Sequence, residues 1–288
     1  MYQLINLQKQ LNNKEECVLL LGGFDGVHLG HKKLFEEAKK YRLPIGIMSI
    51  YGGKGHSLFT QAERRNVFYN LGIHFVLEMY FENIRNLSPK EFVDRLLQDF
   101  SIKAFLCGED FCFGFQAQGD TNLLKEYTHG CVETHSLVEY GGKKISSTEI
   151  KAAIEQGNVE RANALLSQQF FLLGEVEKDR RVGSKIGFPT ANIAYPKGKL
   201  PLKKGVYQTQ VEIAGQTYKA ITNYGARPTF DNACVLTETY LDGFHGDLYG
   251  KALKVEFVRF LREITRFADM QALKQQLETD IRRVRNND

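Results

Sequence analysis

Apolar positions in the first half of the chain alternate between two periods. Short unbroken runs at 17–21 (CVLLL), 43–50 (LPIGIMSI), 73–79 (IHFVLEM) and 103–107 (KAFLC) have the length and composition of buried strands. Helical spacing lies between them. Leu34, Phe35 and Ala38 share one face of 32–40, and 61–71 is a second helix that Gly72 can end. Ser88 and Glu91 frame Pro89 as a capping box with proline at the first helical position, and the stripe Phe92, Val93, Leu96, Leu97 and Phe100 follows. A fifth strand is expected over 132–140, closed by Gly141-Gly142. Ser146 and Glu149 form another capping box, heading helical text that runs to Leu166 with a break at Gly157-Asn158. Strands alternating with helices predict an open, doubly wound α/β domain, which binds ligands at the carboxyl ends of its strands.

Beyond residue 170 the pattern changes. Short runs rich in Val, Tyr, Phe and Thr, at 170–176, 205–213, 216–222, 235–241 and 253–257, are separated by turn residues rather than helices. They predict a small antiparallel β-barrel. Met270, Leu273, Leu277, Ile281 and Val284, three or four apart, mark a closing helix. The expected domains are therefore 1–166 and 167–288.

Composition adds limits rather than chemistry. The chain has 288 residues, 43% hydrophobic and 25% charged, which is enough for sizeable cores. A net charge of +4 is too mild to argue for nucleic acid and suits small anionic ligands. The sequence has no apolar run long enough for a membrane span and no export signal at its start. The 5 cysteines, at 17, 107, 112, 131 and 234, form no CxxC pair. A reduced, cytoplasmic protein without nucleic-acid or membrane partners is the expectation.

The candidate chemistry gathers at 22–31 (GGFDGVHLGH), between the first strand and the first helix. A glycine-rich turn leading into a helix presents backbone N–H groups and the positive end of the helix dipole to an anion. His28 and His31 admit three readings. They could start a zinc site, for which no further ligand is in view. They could be bystanders in a capping turn, or they could contact a phosphate that gains charge in a transition state. Gly30 between them allows close backbone approach. The loop 51–57 (YGGKGHS) contains Gly-Lys without the spacing of a P-loop.

Taken with 145–151 (ISSTEIK), the first turn resembles the HxGH/ISSTxIR pair of the nucleotidylyltransferase superfamily. Over roughly residues 15 to 285 the chain resembles the bacterial bifunctional riboflavin kinase/FMN adenylyltransferase (FAD synthetase) family. The second half contributes 187–192 (GFPTAN), 223–230 (NYGARPTF), Glu238-Thr239, 246–250 (GDLYG) and Leu261-Arg262. The resemblance implies a Rossmann-like first domain that joins AMP from ATP to FMN and releases pyrophosphate. Gly22, Phe24 and Gly30 would bind ATP there, and His28 and His31 would stabilise the α-phosphoryl group. Ser146, Ser147 and Thr148 would hold pyrophosphate, with Lys151 as a point charge. It also implies a riboflavin kinase-like barrel, in which Gly187, Thr190 and Asn192 bind ATP, Thr190 and Asn192 take Mg²⁺, and Glu238 is the general base. Asp110, Phe111, Phe113 and Arg262 are the flavin candidates, with Phe115 a further stacking partner.

Plainer readings stand beside these. Thr190 and Asn192 can be turn residues, Glu238 an outward strand residue, and the phenylalanines core. The chain also departs from the family at Tyr51-Gly52-Gly53-Lys54, where a Pro-His-Pro loop is common. Uncharged 115–118 (FQAQ) stands where basic residues are usual, and Ser184 and Lys151 each stand in place of arginine. A kinase with an impaired adenylyltransferase half, and a non-catalytic flavin or nucleotide regulator, are the alternatives.

Overall fold

The computed structural model describes residues 2–8, 15–53, 55–136, 139–178, 188–226 and 235–286. It has two compact units, Met1–Ser147 and Thr148–Asp288. This division precedes two short helices, whereas the change of strand pattern follows them.

In the first unit, the described residues form a sheet of β1 (Tyr2–Asn6), β2 (Glu16–Leu20), β3 (Ile45–Tyr51), β4 (Phe75–Tyr80), β5 (Ser101–Gly108) and β6 (Val132–His135), in the order β1-β4-β3-β2-β5-β6. All pairs are parallel except β1–β4. Helices α1 (Leu29–Lys39), α2 (Gln61–Asn70), the short α3 (Phe81–Ile84), α4 (Pro89–Asp99) and α5 (Thr121–Tyr127) connect the strands. The chain steps from β2 through β3 to β4 on one side, then returns to lay β5 on the other side of β2. The carboxyl ends of β2 and β5 therefore flank the topological switch point, where such sheets bind ligands.

Several local expectations are met with caps in place. Thr60–Glu63 and Ser88–Glu91 are reciprocal capping boxes at the heads of α2 and α4. Buried Leu19, Phe75, Leu77, Phe92, Leu96 and Phe105 belong to one core. Gly46 on β3 is required by it, because a Cβ there would lie 2.2 Å from the Phe75 ring. The sequence reading differs from the structure in two strands. Edge strand β1 carries too little apolar alternation to be seen. The run 132–140 is broken after His135, and its end pairs instead as a hairpin of β7 (Glu139–Tyr140) and β8 (Lys143–Lys144). Gly141 and Gly142, both at positive φ, turn that hairpin.

The second unit begins with α6 (Ser147–Glu155), whose first residue closes unit one, and α7 (Val159–Leu165). Asn158 caps α7 through its side chain, 3.0 Å from the Arg161 N–H, which explains the break read at Gly157-Asn158. Strands β9 (Phe171–Glu175), β10 (Thr190–Ala194), β11 (Gly205–Ile213), β12 (Gln216–Ala226), β13 (Val235–Leu241) and β14 (Ala252–Arg262) pair antiparallel in the order β10-β13-β12-β11-β14-β9. Past β9 the Glu177 N–H donates to the Asn192 carbonyl at 2.8 Å, drawing the two edge strands together.

One face of this sheet buries Tyr207 and Phe257 with a hydroxyl ladder. Thr209 and Thr222 lie 2.8 Å apart, and Thr222 and Thr239 2.9 Å. The C-terminal helix (Met270–Asn286) covers part of the other face, placing Ile281 and Val284 on Phe188, Val206 and Ile221.

Candidate active sites

A cavity of about 670 Å³ opens in the first unit at the ends of β2, β5 and β6, lined by Gly22, His28, Gly30, His31, Ser146 and Ser147 among others. The histidines sit where they do because α1 starts at Leu29. His28 is its extended N-cap (φ −94°, ψ 172°), and His31 lies in its first turn. Their rings stack with centroids 3.6 Å apart. His31 Nδ1 lies 3.3 Å from the Gly26 carbonyl and 3.5 Å from the His28 backbone nitrogen, so the tautomer sets whether it donates to the first or accepts from the second. Burial pushes His28 down to about 4, with Asp110 opposing and Lys144 adding to the effect. Burial, together with its neighbour His28, holds His31 well below the ordinary histidine range. Both imidazoles are therefore neutral at pH 7, and a nearby phosphate charge would favour their protonation.

The other residues singled out from the first half take varied places. Phe24 is 1% exposed at φ 43°, its ring 4.6 Å from that of His31, so it braces the turn from below. Asp110 lines the cavity but is ion-paired with Lys144. Phe111 and Phe113 both line it and stack on each other at 5.7 Å, while Phe113 also packs on Phe92 in the core. Phe115 is exposed and outside the lining. Thr148 and Lys151 stand on α6 in the second unit. Lys54 lies outside the described residues.

Three features of this unit escaped the sequence reading. His135 and Arg85 line the cavity. Arg64, 2% exposed, bonds Asp25 in the glycine-rich turn at 2.7 Å. An arginine on the same helix face as Val67 and Phe68 was the available signal for it. Among the described residues no cluster of three or more His, Cys, Asp or Glu is placed to hold a metal.

In the second unit, β-register assembles the other candidates. Asn192 on β10 lies opposite Glu238 on β13, Thr190 opposite Tyr240, and Asn223 on β12 opposite Glu238. Directly opposed residues project from the same face, so Thr190, Asn192, Asn223 and Glu238 share one. Asn192 is 5% exposed. Thr190 also lines a cavity of about 480 Å³ with Pro189, Phe244, His245 and Tyr249, of which Phe244 and His245 fall in a stretch read only as a turn between strands. Arg262 is held by Asp280 of the C-terminal helix at 2.7 Å. Gly187, Ser184 and residues 227–234 lie outside the described residues.

A switch-point cavity edged by two histidines at a helix start defines a nucleotide-binding α/β unit, and a small antiparallel barrel follows it in the chain. Residues 10–149 match the family model for FAD synthetase and residues 166–287 the model for riboflavin kinase. The chain belongs to the bifunctional riboflavin kinase/FMN adenylyltransferase family. The protein of that description from Bacillus subtilis is 31% identical over 93% of this chain and 92% of its own length. The one from Pseudomonas fluorescens is 34% identical, covering 92% and 91%. A crystal structure described as a macrolide-efflux protein from Streptococcus pneumoniae is 30% identical, with a TM-score of 0.85 and 98% of both chains covered. Among the described residues no helix is long and apolar enough to cross a membrane.

Proposed function

We propose that the chain makes FAD in two steps, phosphorylating riboflavin to FMN in its second unit and adenylylating FMN in its first. The reading rests on one observation above the rest: His28, His31, Ser146 and Ser147, far apart in sequence, line one cavity at the switch point.

In the adenylyl step an FMN phosphate oxygen attacks the α-phosphorus of ATP, and the bond to the bridging oxygen of pyrophosphate breaks. Such a reaction needs positioning and charge stabilisation more than covalent help. The imidazole pair supplies donors beside the α-phosphoryl group. Ser146 and Ser147, with Thr148 and Lys151, are the proposed holders of departing pyrophosphate. Gly22 and Gly30 allow the nucleotide close to the backbone, and Phe111 with Asp110 faces the flavin.

In the kinase step the riboflavin hydroxyl attacks the γ-phosphorus while Glu238 takes its proton, and ADP leaves. The Thr190 hydroxyl and Asn192 amide oxygen are hard donors on the Glu238 face, fitting magnesium that is completed by ATP oxygens. Magnesium, when bound there, offsets phosphate charge. Gly187 is proposed with them for ATP, and Arg262, fixed by Asp280, for the flavin side.

The test incubates the protein with ATP and Mg²⁺ and either riboflavin or FMN, resolving the flavins by chromatography. FMN from the first and FAD from the second are expected. FMN alone would mark a kinase with an impaired first unit, and binding without either product would leave a regulator. Glu238→Gln is expected to lower FMN formation about 10²–10⁴-fold, as loss of a general base does, and to spare FAD formation from FMN.

A further inference from the structure

Arg64 and Asp25 form a buried network that the two-step chemistry above does not use. The Arg64 side chain spends all its nitrogens inward. Nε donates to the Phe59 carbonyl at 3.3 Å, Nη1 to the Ile50 carbonyl at 2.9 Å and to Ser49 Oγ at 3.3 Å, and Nη2 to Asp25 Oδ1 at 2.7 Å and Ser57 Oγ at 3.1 Å. Its guanidinium carbon lies 4.5 Å from the centre of the Tyr51 ring. The same Asp25 oxygen accepts the Leu58 N–H at 2.9 Å. One guanidinium thus joins the end of β3, the following loop, the head of α2 and the glycine-rich turn.

Asp25 is three residues before His28 and adjacent to Gly26, whose carbonyl meets the His31 ring. The turn is therefore gripped on two sides, by Asp25 from the loop side and by the buried Phe24 ring from below. A planar five-donor fork suits such a multi-point tie, which a lysine cannot reproduce. A buried arginine is costly unless every donor is answered, and here the answering acceptors lie on three separate segments, β3, the loop after it and the glycine-rich turn.

We propose that the Asp25–Arg64 pair is the positioning device for adenylyl transfer, fixing the turn so that His28 and His31 meet the α-phosphoryl group. Neither residue touches the reacting atoms; both act through the histidines. The proposal rests on the adenylyltransferase reading of the first unit.

The experiment compares wild type, Asp25→Ala, Asp25→Asn, His28→Ala and the Asp25→Ala/His28→Ala double variant in FAD formation from FMN. Asp25→Ala is expected to lower kcat about 10–100-fold, the penalty of a misplaced catalytic group, with the KM for ATP changed less than about threefold on the same reasoning. Asp25→Asn keeps the acceptor and should lose less. With His28 already gone, Asp25→Ala should cost no more than about threefold further, because groups acting as a unit are not additive. FMN formation from riboflavin by the same preparations should stay unchanged, which shows an intact second unit, and an unchanged far-ultraviolet circular dichroism spectrum shows that the first unit is folded.

An equal loss in both backgrounds, a parallel fall in FMN formation, or no loss in Asp25→Ala overturns the proposal. If His28→Ala leaves FAD formation intact, the reading of the site fails instead. The clamp is then judged by NMR titration of His28, at about 4 in the wild type. Asp25→Ala should move that value towards 6.5 as water reaches the loosened turn, and an unmoved titration counts against the clamp.

Discussion

His28 illustrates how one residue serves the site at a cost to stability. Burial disfavours the charged ring and pushes it from 6.5, the value of a free histidine, down to about 4 in the folded chain. Between those values the unfolded chain binds more protons, so this residue makes stability rise with pH across that window. From above pH 6.5 to below pH 4 it removes on the order of 3 kcal/mol. His31 acts in the same direction. His28→Asn should therefore unfold at higher urea than wild type at pH 4.5, with a much smaller difference at pH 7.5. A difference independent of pH would refute the burial argument. The cysteines work differently: Cys17 and Cys107, pushed up to about 12 and 11 by burial, serve as inert core side chains.

Among the elements, the C-terminal helix shows an ion pair acting as a fastener. Asp280 is fully buried and takes both Arg262 Nε and Nη2 from β14, while Gln276 one turn earlier donates to it at 2.8 Å. At the end of the helix, Lys219 of β12 bonds the Val284 and Arg285 carbonyls, and Arg285 pairs with Asp242. Removing one member of a buried pair strands the other, typically at about 3–5 kcal/mol. Asp280→Ala should therefore lower the urea midpoint of the second unit by a corresponding amount, whereas Asp242→Ala, whose partner Arg285 is exposed and can turn to water, should cost under about 1 kcal/mol. Equal effects would mean that the helix is held by apolar contact alone.

At the scale of the whole molecule, two compact units with separate cores carry two chemistries. His28→Ala should slow FAD formation strongly, to a residual rate that can still be measured, while leaving FMN formation, and Glu238→Gln should do the reverse. An equimolar mixture of the two variants should then convert riboflavin to FAD through FMN released into solution. The check is chromatography of the mixture against each variant alone. Absence of FAD from the mixture, with each single activity retained, would mean that FMN must pass within one chain.

How much of this was legible in the sequence depended on the range of the interaction. Strands β2 to β5, helices α2 and α4 and the long barrel strands announce themselves by periodicity and caps, which are local. Strand β10 did not, since five residues beside a proline read equally well as a turn, and its partner β13 is over forty residues away. Edge strand β1 is defined only by β4. In the site, His28, His31, Ser146 and Ser147 could be named from spacing and family wording. Phe24, read among the ATP ligands, is buried, with its backbone at φ 43° and its ring against that of His31.

The sequence by itself determined the two fold classes, the order of their elements and the glycine-rich turn, because these follow from patterns within a few residues. Only the tertiary structure decided what stands around that turn. Arg64, His135 and Arg85 reach the first unit's site and its supports from other elements, and Asn192 meets Glu238 through strand register. Such placements depend on contacts between distant segments, and no local pattern encodes those.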